Sequence, residues 1–345
     1  MGTGVGPMQE AVANLVQNCA QVQRGERVLL LNEQDAMDAD VVGLIAEAIS
    51  AAGATPRVIW EAPPERDAAI PGELLEAIAS SDKVIAHFPL SPSALEESLG
   101  PDPGVVVVQS MFRTKQHFVS EHARYHWGMA NAIYERFQNE LFAAGRKWRF
   151  ASPGGTEISG VIDALSERAR QLDDNLAPFC RSFNSPAYIP VASRGCEGRA
   201  VVEYTGGFRR IPLDHPPTLV IENNIIVRAE GPPEAKRWVD QYAKVLNERS
   251  ERLGVPDANK VDSWHGGLHP TAECIGGDIG LVGNAGTKMA HFHVGPDGAH
   301  IAAQWGDLDM WLDDEPVMAN GRYAAGFDDP KLREAARQFG LSHWR

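Results

Sequence analysis

The chain has 345 residues, with 32 Lys and Arg against 46 Asp and Glu and a formal net charge of −14. Its composition, 43% hydrophobic and 23% charged with 33 Gly and 23 Pro, is that of an ordinary globular protein and excludes disordered, collagen-like and coiled-coil classes. The acidic balance repels phosphate backbones and anionic lipid, so no nucleic acid or membrane partner is expected, and the length suits two domains.

The first 110 residues alternate as α/β units. An apolar run Arg27 to Leu31, a helical stretch Asp38 to Ala52 closed by Gly53, and a second run Arg57 to Trp60 make a β-α-β unit. A short helix Gly72 to Ser80 follows, then strands Lys83 to Ala86 and Gly104 to Val108, whose unbroken valines suit burial on both faces of a parallel sheet. The Gly2 to Gly6 cluster precedes any strand, so it reads as a frayed terminus and gives nucleotide binding no support.

Met111 to Leu141 has helical spacing and bridges the halves. Beyond Gly145 the pattern turns to short strands: Trp148 to Ala151, Ala200 to Tyr204, Thr218 to Ile221 and Ile225 to Ala229, with Asn223-Asn224 as a tight hairpin turn. A helix Pro233 to Arg252 interrupts them, and the remainder from Val261 is Gly-rich with short strands. The expected fold is α/β: an N-terminal parallel-sheet α/β domain over residues 1–147, followed by a C-terminal α+β metal-binding domain over 148–345.

Cys19, Cys180, Cys196 and Cys274 are scattered without C-x-x-C spacing, which predicts reduced thiols. The start carries no basic region followed by an apolar stretch, and no apolar run reaches the roughly 18 residues of a membrane span, so a cytoplasmic location is expected.

Histidine placement carries the chemistry. Five of the eleven histidines, His265, His269, His291, His293 and His300, fall within about a tenth of the chain. The first two lie in Ser263-Trp-His-Gly-Gly-Leu-His-Pro270, where two glycines let the backbone turn tightly. His291 and His293 lie in Ala290-His-Phe-His-Val294, and residues two apart on a strand share a face. Imidazoles in such pairs suit one divalent metal, and His265, His269, His291 and His293 are the expected ligands. Glu273 and His300 are the expected proton-transfer groups.

Asp307 and Asp309 read as a solvated strand face, and His117, His122 and His126 as solvated histidines on a charged helix. His87 follows the third strand, at the carboxyl end where α/β ligand sites open, and with Arg113 it is the expected substrate contact. Serine-hydrolase and His-Glu-x-x-His signatures do not occur.

Several segments together resemble a family. Gly25-Glu-Arg-Val-Leu-Leu-Leu31, Ser152-Pro-Gly-Gly-Thr-Glu157, Thr218-Leu-Val-Ile-Glu222, Gly267-Leu-His-Pro270, Gly295-Pro-Asp-Gly298 and Trp311-Leu-Asp-Asp314 look like the leucyl aminopeptidase (aminopeptidase T) superfamily. Within it the likeness is nearer to the 2,5-dihydroxypyridine 5,6-dioxygenases, mononuclear Fe(II) enzymes, than to the metallopeptidases.

That resemblance implies iron held by a histidine before a Gly-x-Gly-Leu segment and by a later His-x-Asp. Here the first motif reads Ser263-Trp264-His265-Gly266-Gly267-Leu268, with Ser263 at the family's ligand position. The second falls at His300-Ile301-Ala302, without the aspartate, or at Asp307-Leu308-Asp309, without the histidine.

The resulting expectation is a metal-dependent enzyme acting on a small aromatic or heteroaromatic substrate. Fe(II) and ring-cleaving dioxygenation are favoured, with Zn or Mn and hydrolysis by an aminohydrolase or aminopeptidase as the alternative. The resemblance also implies a homodimer or larger homo-oligomer.

Overall fold

The structure, a computed structural model, describes residues 6–62, 70–163, 179–185, 187–203, 213–233, 260–273, 285–288, 290–294, 299–305 and 307–345. For 93, 187–193, 262, 263, 265, 291–294 and 299–305 it describes the backbone alone. The expected helix Pro233 to Arg252, residues 1–5 of the glycine-rich start and Cys274 lie outside the described residues. Two compact units emerge, residues 1–131 with 167–185, and residues 132–166 with 186–345.

The first unit is built on a five-stranded parallel sheet. Its strands are β1 (Arg27–Glu33), β2 (Thr55–Glu61), β3 (Lys83–Ala86), β4 (Val106–Gln109) and β7 (Cys180–Ser182), in the order β2-β1-β3-β4-β7. The first four match the expected strands. The fifth comes from a later stretch of chain, which a contiguous first domain ending at 147 does not contain.

Helices α1 (Pro7–Ala13), α2 (Ala39–Ala51), α3 (Gly72–Ala79) and α4 (Pro92–Leu99) complete the α/β pattern. Asp38 caps α2 by accepting from the Asp40 N–H, and Gly53 follows its end at φ 82°, where a residue with a Cβ is strained. Leu29, Leu31, Val84, Val107, Leu74, Ile78 and Phe88 form one buried cluster. Each such apolar side chain contributes about 1.5–3 kcal/mol through burial.

The helical stretch Met111 to Leu141 divides into α5 (Lys115–Phe118), α6 (Glu121–Arg124) and α7 (Trp127–Arg136), which continues as a π turn, Phe137–Leu141. Thr114 and Ser120 cap new starts at α5 and α6 by accepting from the His117 and Ala123 N–H groups. These breaks reorient the helix face. His117 and His122, expected in solvent, are buried, and the His122 Nε2 stands 2.5 Å from the Asn184 carbonyl.

The second unit is built on an antiparallel sheet. Its strands are β5 (Lys147–Ala151), β6 (Glu157–Ile162), β8 (Ala187–Val201), β9 (Thr218–Glu222), β10 (Ile225–Glu230), β11 (Val261–Gly267), β12 (Ala290–Val294), β13 (Ala299–Trp305), β14 (Asp309–Leu312), β15 (Glu315–Ala319) and β16 (Arg322–Tyr323). The main path runs β13-β12-β11-β8-β6-β5-β14-β15-β16, with β9 joining β8 to β10.

β8 ends at Val201, so the expected strand Ala200 to Tyr204 is instead the tail of a much longer one. Asn223 and Asn224, at φ 47° and 70°, make the expected two-residue hairpin turn. A last helix, α8 (Pro330–Gln338), escaped the sequence reading; Asp329 caps it and also binds the Arg136 guanidinium at 2.6 Å. Cys19, Cys180 and Cys196 are buried, and burial raises the Cys19 thiol well above its ordinary pKa.

Candidate functional site

The histidine-rich segments become three adjacent strands of the second unit. β11 pairs antiparallel with β12, placing His265 opposite His291 and Ser263 opposite His293. β12 pairs antiparallel with β13, placing His293 opposite His300. Directly opposed residues share a face, as do residues two apart on one strand. Positions 263, 265, 291, 293 and 300 therefore fall on one face of β11, β12 and β13.

The alternate face of β11 is core. Trp264 is fully buried, with its ring 5.5 Å from Trp148 and 6.2 Å from Phe150, and Gly266 lies opposite the buried Ala290. The aromatic packing fixes which positions face away from it, because a slip of one residue would carry every histidine to the core side. Directly opposed positions in such ladders have Cβ atoms about 4.5–5.5 Å apart. Four histidines and a serine supply nitrogen and oxygen donors suited to Fe(II), Zn(II) or Mn(II), so the residues present fit a divalent metal. Among the described side chains no three His, Cys, Asp or Glu converge on a common point.

His269 sits in the turn beyond β11. It is fully buried, its N–H donates to the Ala285 carbonyl at 2.7 Å, and its Nδ1 accepts from the Thr271 N–H at 3.3 Å. In the neutral ring that bond leaves the proton on Nε2. Gly267 permits this close approach: a Cβ there would stand 2.1 Å from the Ala285 carbonyl carbon. The glycine pair, expected to turn the chain, lies instead within β11, where Gly267 brings two backbones together. The Tyr323 hydroxyl donates to the Leu268 carbonyl at 2.6 Å and ties the segment to β16.

Glu273 is solvent-exposed, with its carboxylate 3.4 Å from the Lys288 ammonium, a surface ion pair rather than a buried acid–base position. A groove of about 320 Å³ on the sheet includes Lys147, Arg149, Trp311 and Asp314 in its lining; there the Arg149 guanidinium stacks 3.8 Å from the centre of the Trp311 ring. None of the expected site residues lines it.

The first unit holds the other expected pair at the carboxyl ends of its strands. The order β2-β1-β3-β4-β7 reverses direction between β1 and β3, the place where ligands bind in open α/β sheets. His87 directly follows β3, Arg113 lies beyond β4, and Glu33 ends β1. The Arg113 guanidinium is 2.6 Å from the Glu33 carboxylate.

His87 is fully buried and its Nδ1 stands 3.1 Å from the Phe112 carbonyl, which can only accept, so Nδ1 carries the proton. Burial lowers the His87 pKa to about 4, with the Arg113 charge acting in the same direction, so the ring is neutral at pH 7. Glu33 was missed in the sequence; its signal is a carboxylate closing the apolar run of a strand.

No family model matches the chain, and no curated protein matches it. Among solved structures, 2,5-dihydroxypyridine dioxygenase from Pseudomonas putida KT2440 aligns over 95% of this chain and 98% of its own, with TM-score 0.65 and 18% identity. Wild-type AmpT from Thermus thermophilus aligns over 92% and 99%, with TM-score 0.54 and 14% identity. The chain shares the fold of both. That fold is the expected one, an N-terminal parallel α/β sheet followed by an antiparallel sheet domain, now established over nearly the full length. No helix among the described residues is long and apolar enough to cross a membrane.

Proposed function

We propose that this protein is a mononuclear metal-dependent enzyme, a ring-cleaving dioxygenase using Fe(II) on a small hydroxylated aromatic or heteroaromatic compound. The observation that carries the reading is the register placing His265, His291, His293 and His300 on one face of three neighbouring strands. His265, His291 and His293 are the ligand positions, with His269 in the adjoining turn as the fourth nitrogen. Ligation through its Nε2 requires the ring to release Thr271 and carry its proton on Nδ1.

Bound Fe(II) supplies the one-electron chemistry with dioxygen that no amino-acid side chain provides. The chain's own part is to hold and protonate. Trp264, packed against Trp148 and Phe150, fixes the orientation of β11. His300, at the position opposite His293, is the group proposed to take the proton of a ring hydroxyl and return it to the opened product. Glu273, engaged by Lys288 in solvent, leaves that task to the imidazole. Among the described residues the strand positions on this face are histidines and a serine rather than carboxylates, which favours one metal over the pair that two-metal hydrolases use.

Oxygen uptake tests the reading. Protein loaded anaerobically with Fe(II) is expected to consume dioxygen with a dihydroxylated pyridine or benzene and to lose ring absorbance in step. Turnover of amide or peptide substrates without oxygen, supported by Zn or Mn, would establish the hydrolase instead.

A further inference from the structure

Among the described strands β2 is an outer one of the parallel sheet, and its Val58-Ile59-Trp60 centre is apolar. Val58 and Trp60 are 42% and 39% exposed, two of the four large hydrophobic residues most open to solvent among those described. Open strand edges pair with other strands unless a bulge, a charge or a proline blocks them. β10 shows such protection: its register shifts between Ile226 and Arg228, and Arg228 binds Glu222 and Glu230. β2 has no such bulge, running in unbroken register with β1 from Thr55 to Glu61; its proline, Pro56, stands near its start, and its two charges, Arg57 and Glu61, are of opposite sign.

The backbone directions define what can be added. The Thr55 N–H donates to the Glu26 carbonyl at 2.8 Å, and the Glu61 carbonyl accepts from the Gln34 N–H at 2.9 Å. The Ile59 carbonyl likewise accepts from the Asn32 side chain at 3.2 Å. Odd-numbered residues thus turn their polar groups toward β1, so those of Pro56, Val58 and Trp60 point out from the edge.

We propose that β2 pairs antiparallel with β2 of a second copy about a two-fold axis at Ile59, joining the two parallel sheets into one. In that register Val58 exchanges both backbone hydrogen bonds with the partner's Trp60, and the reverse pair repeats them. On the other face Arg57 stands opposite the partner's Glu61, again twice, with Ile59 against its own copy. Arg57 and Glu61 are both exposed, so their charges are available for it.

Charge selects this register. Moving the axis to residue 58 puts Arg57 opposite Ile59 and Glu61 opposite Thr55, and moving it to residue 60 puts Glu61 opposite Ile59. Only the axis at Ile59 pairs the opposite charges. Pro56, without an N–H, falls at the margin of the paired segment, where it ends the ladder and prevents further growth.

Sedimentation equilibrium of the full chain tests this with Arg57→Glu, Glu61→Arg and the double exchange. Wild type is expected to dimerise, each single variant to dimerise at least about tenfold more weakly, and the double exchange to recover the wild-type constant. The two single variants mixed together are expected to form the heterodimer. Circular dichroism of each variant confirms that it is folded. A wild type that stays monomeric to about 100 μM, or a dimer indifferent to both single variants, overturns the proposal. Weakening in the single variants without recovery in the double exchange rules out the axis at Ile59.

Discussion

His87 and His122 are buried imidazoles that fold in the neutral form. Burial lowers their pKa values to about 4 and about 3, against 6.5 for an exposed ring. Between pH 6.5 and these values the unfolded chain binds protons that the folded chain does not, so stability falls as pH drops through that window. Each contributes at most a few kcal/mol to the loss. Urea midpoints at about pH 7.5, 6 and 5 should fall progressively. In His87→Asn, whose amide can still donate to the Phe112 carbonyl, the fall should be shallower. An unchanged slope would mean that His87 titrates normally in the folded protein.

The sequence made the strand-end position of His87 legible, because it directly follows an apolar run. It did not make the burial of His122 legible, since helical spacing cannot reveal that Thr114 and Ser120 restart the helix. Gly267 is a second case at this scale. Its neighbours suggested a turn, whereas the close backbone belongs to Ala285, eighteen positions later. Gly267→Ala should lower stability by at least about 2 kcal/mol, because backbone rather than a movable side chain blocks the new methyl group. The urea midpoint measures it, and a near-neutral result would contradict the close approach of the two segments.

At the scale of elements, the hairpin joining β9 and β10 shows what pattern reading reaches. Two consecutive asparagines between apolar runs predicted the turn, and both adopt positive φ. The sequence does not show that Asn224 also staples strands. Its Oδ1 accepts from the Cys196 N–H at 2.9 Å, its Nδ2 donates to the Val261 carbonyl at 3.2 Å, and its carbonyl accepts from the Val261 N–H at 2.7 Å. Asn224 thereby anchors the start of β11, the strand that carries His265.

Glycine tolerates the turn conformation at either asparagine. Asn223→Gly should therefore leave stability within about 0.5 kcal/mol, and Asn224→Gly should cost about 2 kcal/mol by leaving a buried N–H and carbonyl without their side-chain partner. Equal effects in thermal or urea unfolding would remove the stapling role. The strand Ala290–Val294 was legible to the residue, because His-x-His between apolar positions is a period-two pattern. Its pairing was not. Both ladders of β12 carry register shifts, and shifts of that kind leave no trace in a single sequence.

For the whole molecule, the order of strands divides what local patterns give from what they cannot. Alternating strands and helices pointed to the parallel sheet, but its fifth strand returns from residues 180–182 after the chain has already begun the other unit. Long-range returns of this kind depend on packing rather than on local propensity. The same holds for the histidine-bearing face of β11, β12 and β13, where residues far apart in the chain become neighbours only through two ladders.

The proposed function requires one divalent metal on the histidine-bearing face of β11, β12 and β13. Elemental analysis of anaerobically purified protein, wild type beside the His291→Ala, His293→Ala double variant, tests it most directly. About one Fe per chain is expected in wild type, with its loss in the variant and the fold retained by circular dichroism. Wild type that carries no metal and cannot be loaded with Fe(II), Zn or Mn would contradict it, as would a double variant that binds as much metal as wild type.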